Sequence, residues 1–263
     1  MCRIFVKGDC HGDKFEYLHA MNQIDNPKET DRIIVCGDAG LSYGDFVAGS
    51  AKKAMAKFPG SWIIMRGNHD DRYWIEACNI EYDEQGHPVK WEPKNNSWLI
   101  TDDGLYLYQK KYPNILYVYD DGGIYTIGDY NFLFVPGAYS VDKYYRIETN
   151  RPYNSEEQLT DIEQERLFNL VHYYNKNKIP IDFVIGHTFP LHIEPYYRYL
   201  FLDFIDQSTV DKTTEKFLQA LSYDFEQNNS FKHYFGGHFH DDKELNDNYT
   251  MLYHDVVDVE DYI

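Results

Sequence analysis

Five short apolar runs in this chain each lead into a glycine followed at once by a polar residue of metal-ligating type, and this repeat restricts the fold more than any other feature. The clearest is Trp62 to Asp70, WIIMRGNHD: a run suited to a buried strand, a glycine turn, then Asn68, His69 and Asp70. The others are CRIFVKGDCHG with Asp9 and His11, RIIVCGDAG with Asp38, FVIGH with His187, and YFGGHFH with His238 and His240. Runs of this composition suit parallel strands buried on both faces, and in such sheets functional groups collect beyond the carboxyl ends of the strands. Glycine at each exit lets the backbone turn sharply and come close to an ion or a phosphate. Together the runs offer two aspartates, one asparagine and four histidines, with His69 to spare. That is too many donors for one tetrahedral ion and about right for two.

In their order and spacing, GDCHG, GDAG, GNHD, GH and GGHFH resemble the motif series of calcineurin-like metallophosphoesterases of the bacterial-type branch, from Asp9 to His240. The resemblance implies an α/β fold, a four-layer α/β/β/α sandwich of two mixed sheets with a dinuclear metal site at the strand C-terminal ends. One domain is expected over residues 1–263. The resemblance further implies that Asp9, His11, Asp38 and His240 hold one divalent ion, and Asp38, Asn68, His187 and His238 the other, with Asp38 bridging. His69 then stays unligated as the catalytic acid, and Asp70 orients its ring.

Such a centre suits phosphate-ester hydrolysis. Two cations about 3.5–4 Å apart can pin phosphoryl oxygens and make hydroxide from water near neutral pH. In-line attack by that hydroxide, with His69 protonating the departing alkoxide, needs no covalent protein intermediate. The expected substrate is a small phosphomonoester or phosphodiester, a nucleotide among the candidates. Mixed nitrogen and oxygen donors suit Mn²⁺, Fe or Zn²⁺, with Mn²⁺ expected to support activity best. Two other classes compete. Serine/threonine phosphoprotein phosphatases of this superfamily show a longer GDxVDRG and GNHE where this chain has GDAG and GNHD. A noncatalytic, metal-stabilised binding module would have little use for His69 and Asp70 beside a full ligand set.

Substrate contacts are sought at Asn68 and in PGAYSVDKYYR, Pro136 to Arg146, which resembles a segment near the active site in that bacterial branch. Arg146 could fork onto a phosphate or pair with a surface carboxylate. Arg66 and Arg72, flanking GNHD, are weaker candidates. His19, His87, His172, His192, His233 and His254 lack a motif setting and read as packed or surface side chains. Cys2, Cys10, Cys36 and Cys78 show no C-x-x-C spacing, and Cys10 reads as a small core residue although it lies between two proposed ligands. Cysteine usage and the absence of a basic leader or long apolar span point to a reducing cytoplasm and no membrane. A formal charge of −18 opposes binding of duplex nucleic acid, which depends on basic groups meeting phosphates.

Local pattern fills in the elements. A βαβαβ start is expected, with a helix over KFEYLHAMNQ turning Phe15, Leu18 and Met21 to one side and a second helix over Asp45 to Phe58. From Asp71 to Tyr112 periodicity weakens, with turns marked at Gly86–Pro88, Asn95–Ser97 and Asp102–Gly104. The DDGG and GDYN turns after Ile115 predict antiparallel hairpins. A helix is expected over Ser155 to Lys178, capped by Ser155 and Gln158, and another over Asp211 to Glu226. Strand, turn and strand follow His240, and the acidic tail is expected to fray.

Overall fold

The computed structural model describes residues 2–84, 88–150, 153–228 and 230–263. It opens with the expected βαβαβ unit: β1 (Ile4–Lys7), α1 (Lys14–Asn22), β2 (Arg32–Val35), α2 (Gly44–Met55) and β3 (Ser61–Ile64). The three strands pair in parallel, Phe5 beside Ile33 and Ile33 beside Trp62, so all three leave the sheet at the same edge. The weakly periodic stretch folds as α3 (Tyr73–Ala77), β4 (Cys78–Tyr82), β5 (Pro88–Pro93), β6 (Trp98–Ile100), β7 (Leu107–Gln109) and β8 (Tyr112–Tyr117). Of the turn marked at Gly86–Pro88, Gly86 and His87 lie outside the described residues; the other two turns fall where the sequence marks them.

The remaining chain forms β9 (Gly123–Ile127), β10 (Tyr130–Val135), α4 (Lys143–Glu148), α5 (Asp161–Lys176), β11 (Phe183–Gly186) and α6 (Thr213–Phe225). It ends with β12 (His233–Gly236), β13 (Lys243–Asn246), β14 (Tyr249–Met251) and β15 (Val256–Asp258). Two mixed sheets result, with strand orders β15-β1-β2-β3-β8-β7-β6 and β13-β14-β12-β11-β10-β9, beside a β4-β5 ribbon. In the second sheet β10, β11 and β12 run parallel, which brings His187 and His238 out at one edge.

Three apolar clusters account for the packing. Trp62, Ile33 and Val35 meet Tyr17 and Ala20 of α1 and Ala51 and Met55 of α2. Ile34, Ile63 and Val6 meet Phe134, Phe183 and Phe235 of the other sheet. Leu133 and Val184 meet Leu167 and Val171 of α5 and Leu218 and Leu221 of α6. Strand residues alternate between clusters, so each central strand is buried on both faces, as its unbroken apolar run requires. Among the described residues no helix is long and apolar enough to cross a membrane.

Three local expectations are corrected. On α1 the buried residues are Tyr17 and Ala20 while Phe15 is exposed, because the Tyr17 hydroxyl finds the Ala39 carbonyl and can be buried with its polar end satisfied. The α5 capping box is formed by Thr160 and Glu163, not Ser155 and Gln158. Gln158 is drawn away to α6, where its Oε1 accepts from the Thr214 backbone and hydroxyl. The acidic tail does not fray: β15 pairs antiparallel with β1, and Val259 behind it is 1% exposed in the inter-sheet core.

That docking predicts that Val259→Asp, which buries a charge between the sheets, costs about 3 kcal/mol or more in a urea titration. Asp261→Ala, two residues on at the surface, should stay within about 0.5 kcal/mol. An unchanged midpoint for Val259→Asp would mean the tail carries no packing.

Candidate metal centre

The strand exits are stitched together before any ligand is considered. The backbone N–H groups of Cys10 and His11 donate to the Asp38 carbonyl at 3.1 and 2.7 Å, and Gly12 N–H donates to the Ala39 carbonyl at 2.9 Å. The His69 N–H donates to Asp38 Oδ1, and the His238 N–H to Asp9 Oδ1, both at 2.9 Å. A Cβ at Gly67 would overlap the Asp38 carboxylate, and one at Gly237 would overlap that of Asp9. Glycine at these two places is thus required by a neighbouring loop's carboxylate, a closer approach than any other residue permits. His11, Asp38, His238 and His240 have φ of 46°, 44°, 71° and 55°. For non-glycine residues this costs on the order of 1–3 kcal/mol each and persists only where surroundings enforce it.

All seven residues expected to bind metal come together. Asp9, His11 and His240 form one convergent group, and Asp9, Asp38 and His187 a second. In the first, the Nε2 atoms of His11 and His240 are 2.8 Å apart, and Asp9 Oδ2 lies 3.6 and 3.1 Å from them. In the second, Asp38 Oδ1 is 3.6 Å from His187 Nε2, and beside it Asn68 Oδ1 is 2.7 Å from His187 Nε2 and 3.1 Å from His238 Nδ1. The carboxylate common to the two groups is Asp9; Asp38, the bridge that the family resemblance implies, reaches both sides as well, with Oδ2 3.9 Å from His11 Nδ1 and Oδ1 3.6 Å from His187 Nε2.

The donor chemistry fits cations. His187 Nδ1 is 2.8 Å from the Cys36 carbonyl, an acceptor only, so Nδ1 carries the proton and Nε2 presents a lone pair. That lone pair faces Asn68 Oδ1, also an acceptor, because the Asn68 amide nitrogen is turned to Ser140 Oγ at 2.7 Å. Two acceptors this close, in a buried site, are a pair that a divalent ion reconciles.

His69 stands at the rim, its Nε2 3.4 Å from Arg146 Nη2, and Arg146 Nε donates to Asp142 Oδ2 at 2.6 Å. Arg146 therefore both pairs with a carboxylate and faces the site. The expectation that Asp70 orients the His69 ring is corrected. Both Asp70 oxygens are taken up by the N–H groups of Ala39, Gly40 and Gly67 and by the Tyr73 hydroxyl, at 2.9–3.0 Å. These four bonds occupy the acceptor positions of the carboxylate. Arg66 donates to the Asp120 and Glu157 carbonyls, and Arg72 pairs with Glu163 and Glu156, so neither reaches the centre.

Residues 2–242 match the calcineurin-like phosphoesterase family. The chain belongs to that family. A comparison with curated proteins found no match. Among solved structures, the chain is similar to a protein of unknown function, AQ665, from Aquifex aeolicus, at 14% identity over 70% of this chain and 77% of that one, with a TM-score of 0.32. It is also similar to phosphopantetheinyl hydrolase (PptH) from Mycobacterium tuberculosis, at 12% identity over 96% of this chain and 88% of that one, with a TM-score of 0.42. Family membership makes this chain a metal-dependent hydrolase of phosphate esters.

In this phosphoesterase the buried groups of the centre shift one another's titration. Burial pushes Asp38 well above the usual carboxylate range, and the charges of Asp9 and Asp70 add to the effect. Burial would raise Asp9 too, but His187, His240 and His11 outweigh it and hold Asp9 low. Burial also lowers His11, His187 and His238, which keeps their rings neutral and able to ligate. A cation removes the penalty on two buried carboxylates at once.

Sequence reasoning missed Ser140, which turns Asn68, and Tyr43, whose hydroxyl is 3.4 Å from His11 Nδ1. Ser140 sits within the PGAYSVDKYYR stretch, so its signal was present but attached to Arg146. Cys10 is buried with Sγ 3.8 Å from the Gly8 carbonyl. His233 is buried against Thr250, and His254 pairs with Glu16. None of the other described histidines joins either metal-ligating group, and His87 lies outside the described residues.

Gly67→Ala should push Asp38 out of place and weaken metal binding at least tenfold by titration calorimetry, while a single cooperative unfolding transition remains. Wild-type affinity in that variant would show that the contact between the loops does not set the ligand geometry.

Proposed function

We propose that this protein hydrolyses a small phosphomonoester or phosphodiester at a pair of divalent ions. The observation that carries the reading is the convergence of Asp9, His11, Asp38, Asn68, His187, His238 and His240, with His69 left at the rim beside Arg146. Asp9, His11, Asp38 and His240 would hold one ion, and Asp38, Asn68, His187 and His238 the other. When bound, the ions supply Lewis-acid polarisation of the phosphoryl group and make water acidic enough to react near neutral pH. Mn²⁺ is the ion we expect to serve best. The three apolar clusters support an α/β/β/α order of layers in one domain, with the centre at one edge. A cytoplasmic location accords with buried cysteine side chains at Cys10, Cys36 and Cys78.

The chain's own groups have distinct tasks. Asn68, turned by Ser140, presents its oxygen inward. Arg146 is close enough to His69 for one phosphate to touch both, and its guanidinium suits a phosphate oxygen. His69 is pushed down to about 4, first by burial and then by Arg146, so it rests neutral. A phosphate between the two draws off the Arg146 charge and favours a proton on His69, which then passes to the departing alkoxide. Asp70 works at a distance, holding the turn from which Asn68 and His69 project. Because Asp70 has a structural use, only His69 separates a catalyst from a metal-stabilised binding module.

His69→Asn should keep its metals and lose far more kcat on an alkyl phosphate than on the matching nitrophenyl ester, whose leaving group departs unprotonated. The difference should fall in the range of about 10²–10⁴ typical of general acid catalysis. Equal losses would instead assign His69 to phosphoryl stabilisation, and lost metal would make it a ligand.

A further inference from the structure

The metal centre opens into a cavity of about 550 Å³, and most of the residues that line it are not proposed ligands. Its inner wall is built by Tyr197, Leu200, Phe201, Ile205, Val210 and Phe239. Phe239 lies between His238 and His240 in the chain, and its ring sits 4.3 Å from Tyr197 and 6.2 Å from Phe201. The apolar wall therefore begins at the ligands themselves. Val141 and Leu202, from two separate loops, line the same cavity while remaining 41% and 47% exposed.

We propose, building on the phosphoesterase reading above, that the ester carries a hydrocarbon group and that this group occupies the apolar arm of the cavity. A volume of this size is that of a small-molecule site, and pockets of this kind take their affinity from apolar surface and their orientation from a few polar groups. Here the orienting groups are gathered at one end, the ions' ligands with His69 and Arg146.

Of the charged residues of the arm, Glu194 and Lys212 are committed to each other, and Glu215 keeps one buried oxygen, Oε2, without a hydrogen-bond partner among the described residues. Glu194 is paired with Lys212 and with Arg198, whose Nη2 is 2.7 Å away. Glu215 accepts from Thr188 Oγ1 at 3.1 Å and is pushed up to about 7 by burial. Lys212 is thus committed to a carboxylate, and a polyphosphate or a sugar entering the arm would meet aromatic and aliphatic walls. This narrows the expected substrate away from nucleotides.

The test is calorimetric binding of methyl-, hexyl-, octyl- and decylphosphonate to the Mn²⁺-loaded protein, below micelle-forming concentrations, with turnover of the matching alkyl phosphates measured in parallel. Affinity should rise roughly tenfold or more for each added pair of buried methylenes. Val210→Asp and Ile205→Asp should remove that rise and leave methylphosphonate binding unchanged. Affinity that ignores chain length overturns the inference, as does a chain-length effect that neither variant touches. A nucleoside monophosphate that binds more tightly than decylphosphonate also overturns it. Chain-length-dependent binding with no hydrolysis of any ester would uphold the cavity assignment and overturn the phosphoesterase reading.

Discussion

Asp70 accepts hydrogen bonds from the backbone N–H groups of Ala39, Gly40 and Gly67 and from the Tyr73 hydroxyl, and the metal centre depends on this clamp. It ties the turn after β2 to the turn after β3. Once the two are joined, the His69 N–H reaches the Asp38 carboxylate, and Gly67 packs against that carboxylate with no room for a side chain. A buried carboxylate that takes four hydrogen bonds offsets much of its desolvation cost, and charge-assisted bonds contribute about 1.5–3 kcal/mol each. The rigidity of the site is built from these bonds, and the ligands inherit it.

That rigidity opposes real costs. Asp9, Asp38 and Asp70 are all buried, and four ligand-bearing positions hold positive φ. Strain and like charge of this kind collect where a chain is organised around an ion. Binding to the folded state alone also stabilises it by mass action, so the ions and the fold support one another. Among the described residues the inter-sheet core carries no such charge: Phe134, Phe183 and Phe235 pack there, and its buried Tyr125 hydroxyl accepts from the Tyr119 N–H at 2.8 Å.

The strand-glycine-ligand repeat was legible because it is local: each run is buried on both faces, and each ligand follows within a few residues. The parallel pairing of β1, β2 and β3, and the gathering of their ligands at one edge, follow from that pattern. The use made of Asp70 was not legible, since a carboxylate beside a histidine reads the same whether it faces the ring or the backbone behind it. Ser140 was hidden for a related reason. Its hydrogen bond to Asn68 spans 72 positions, and no periodicity records such a contact. The docking of β15 on β1 and the capture of Gln158 by α6 are likewise long-range, and in each a tertiary partner overrode a sound local expectation.

The proposed function rests on two ions held by donors from five strand exits. The most direct measurement is equilibrium dialysis of the metal-stripped protein against Mn²⁺, with ions counted per chain. Saturation at two is expected, with both sites weakened in Asp38→Asn and chiefly one in His11→Ala. Saturation at a single ion, or an Asp38→Asn protein that holds two with wild-type affinity, would contradict it.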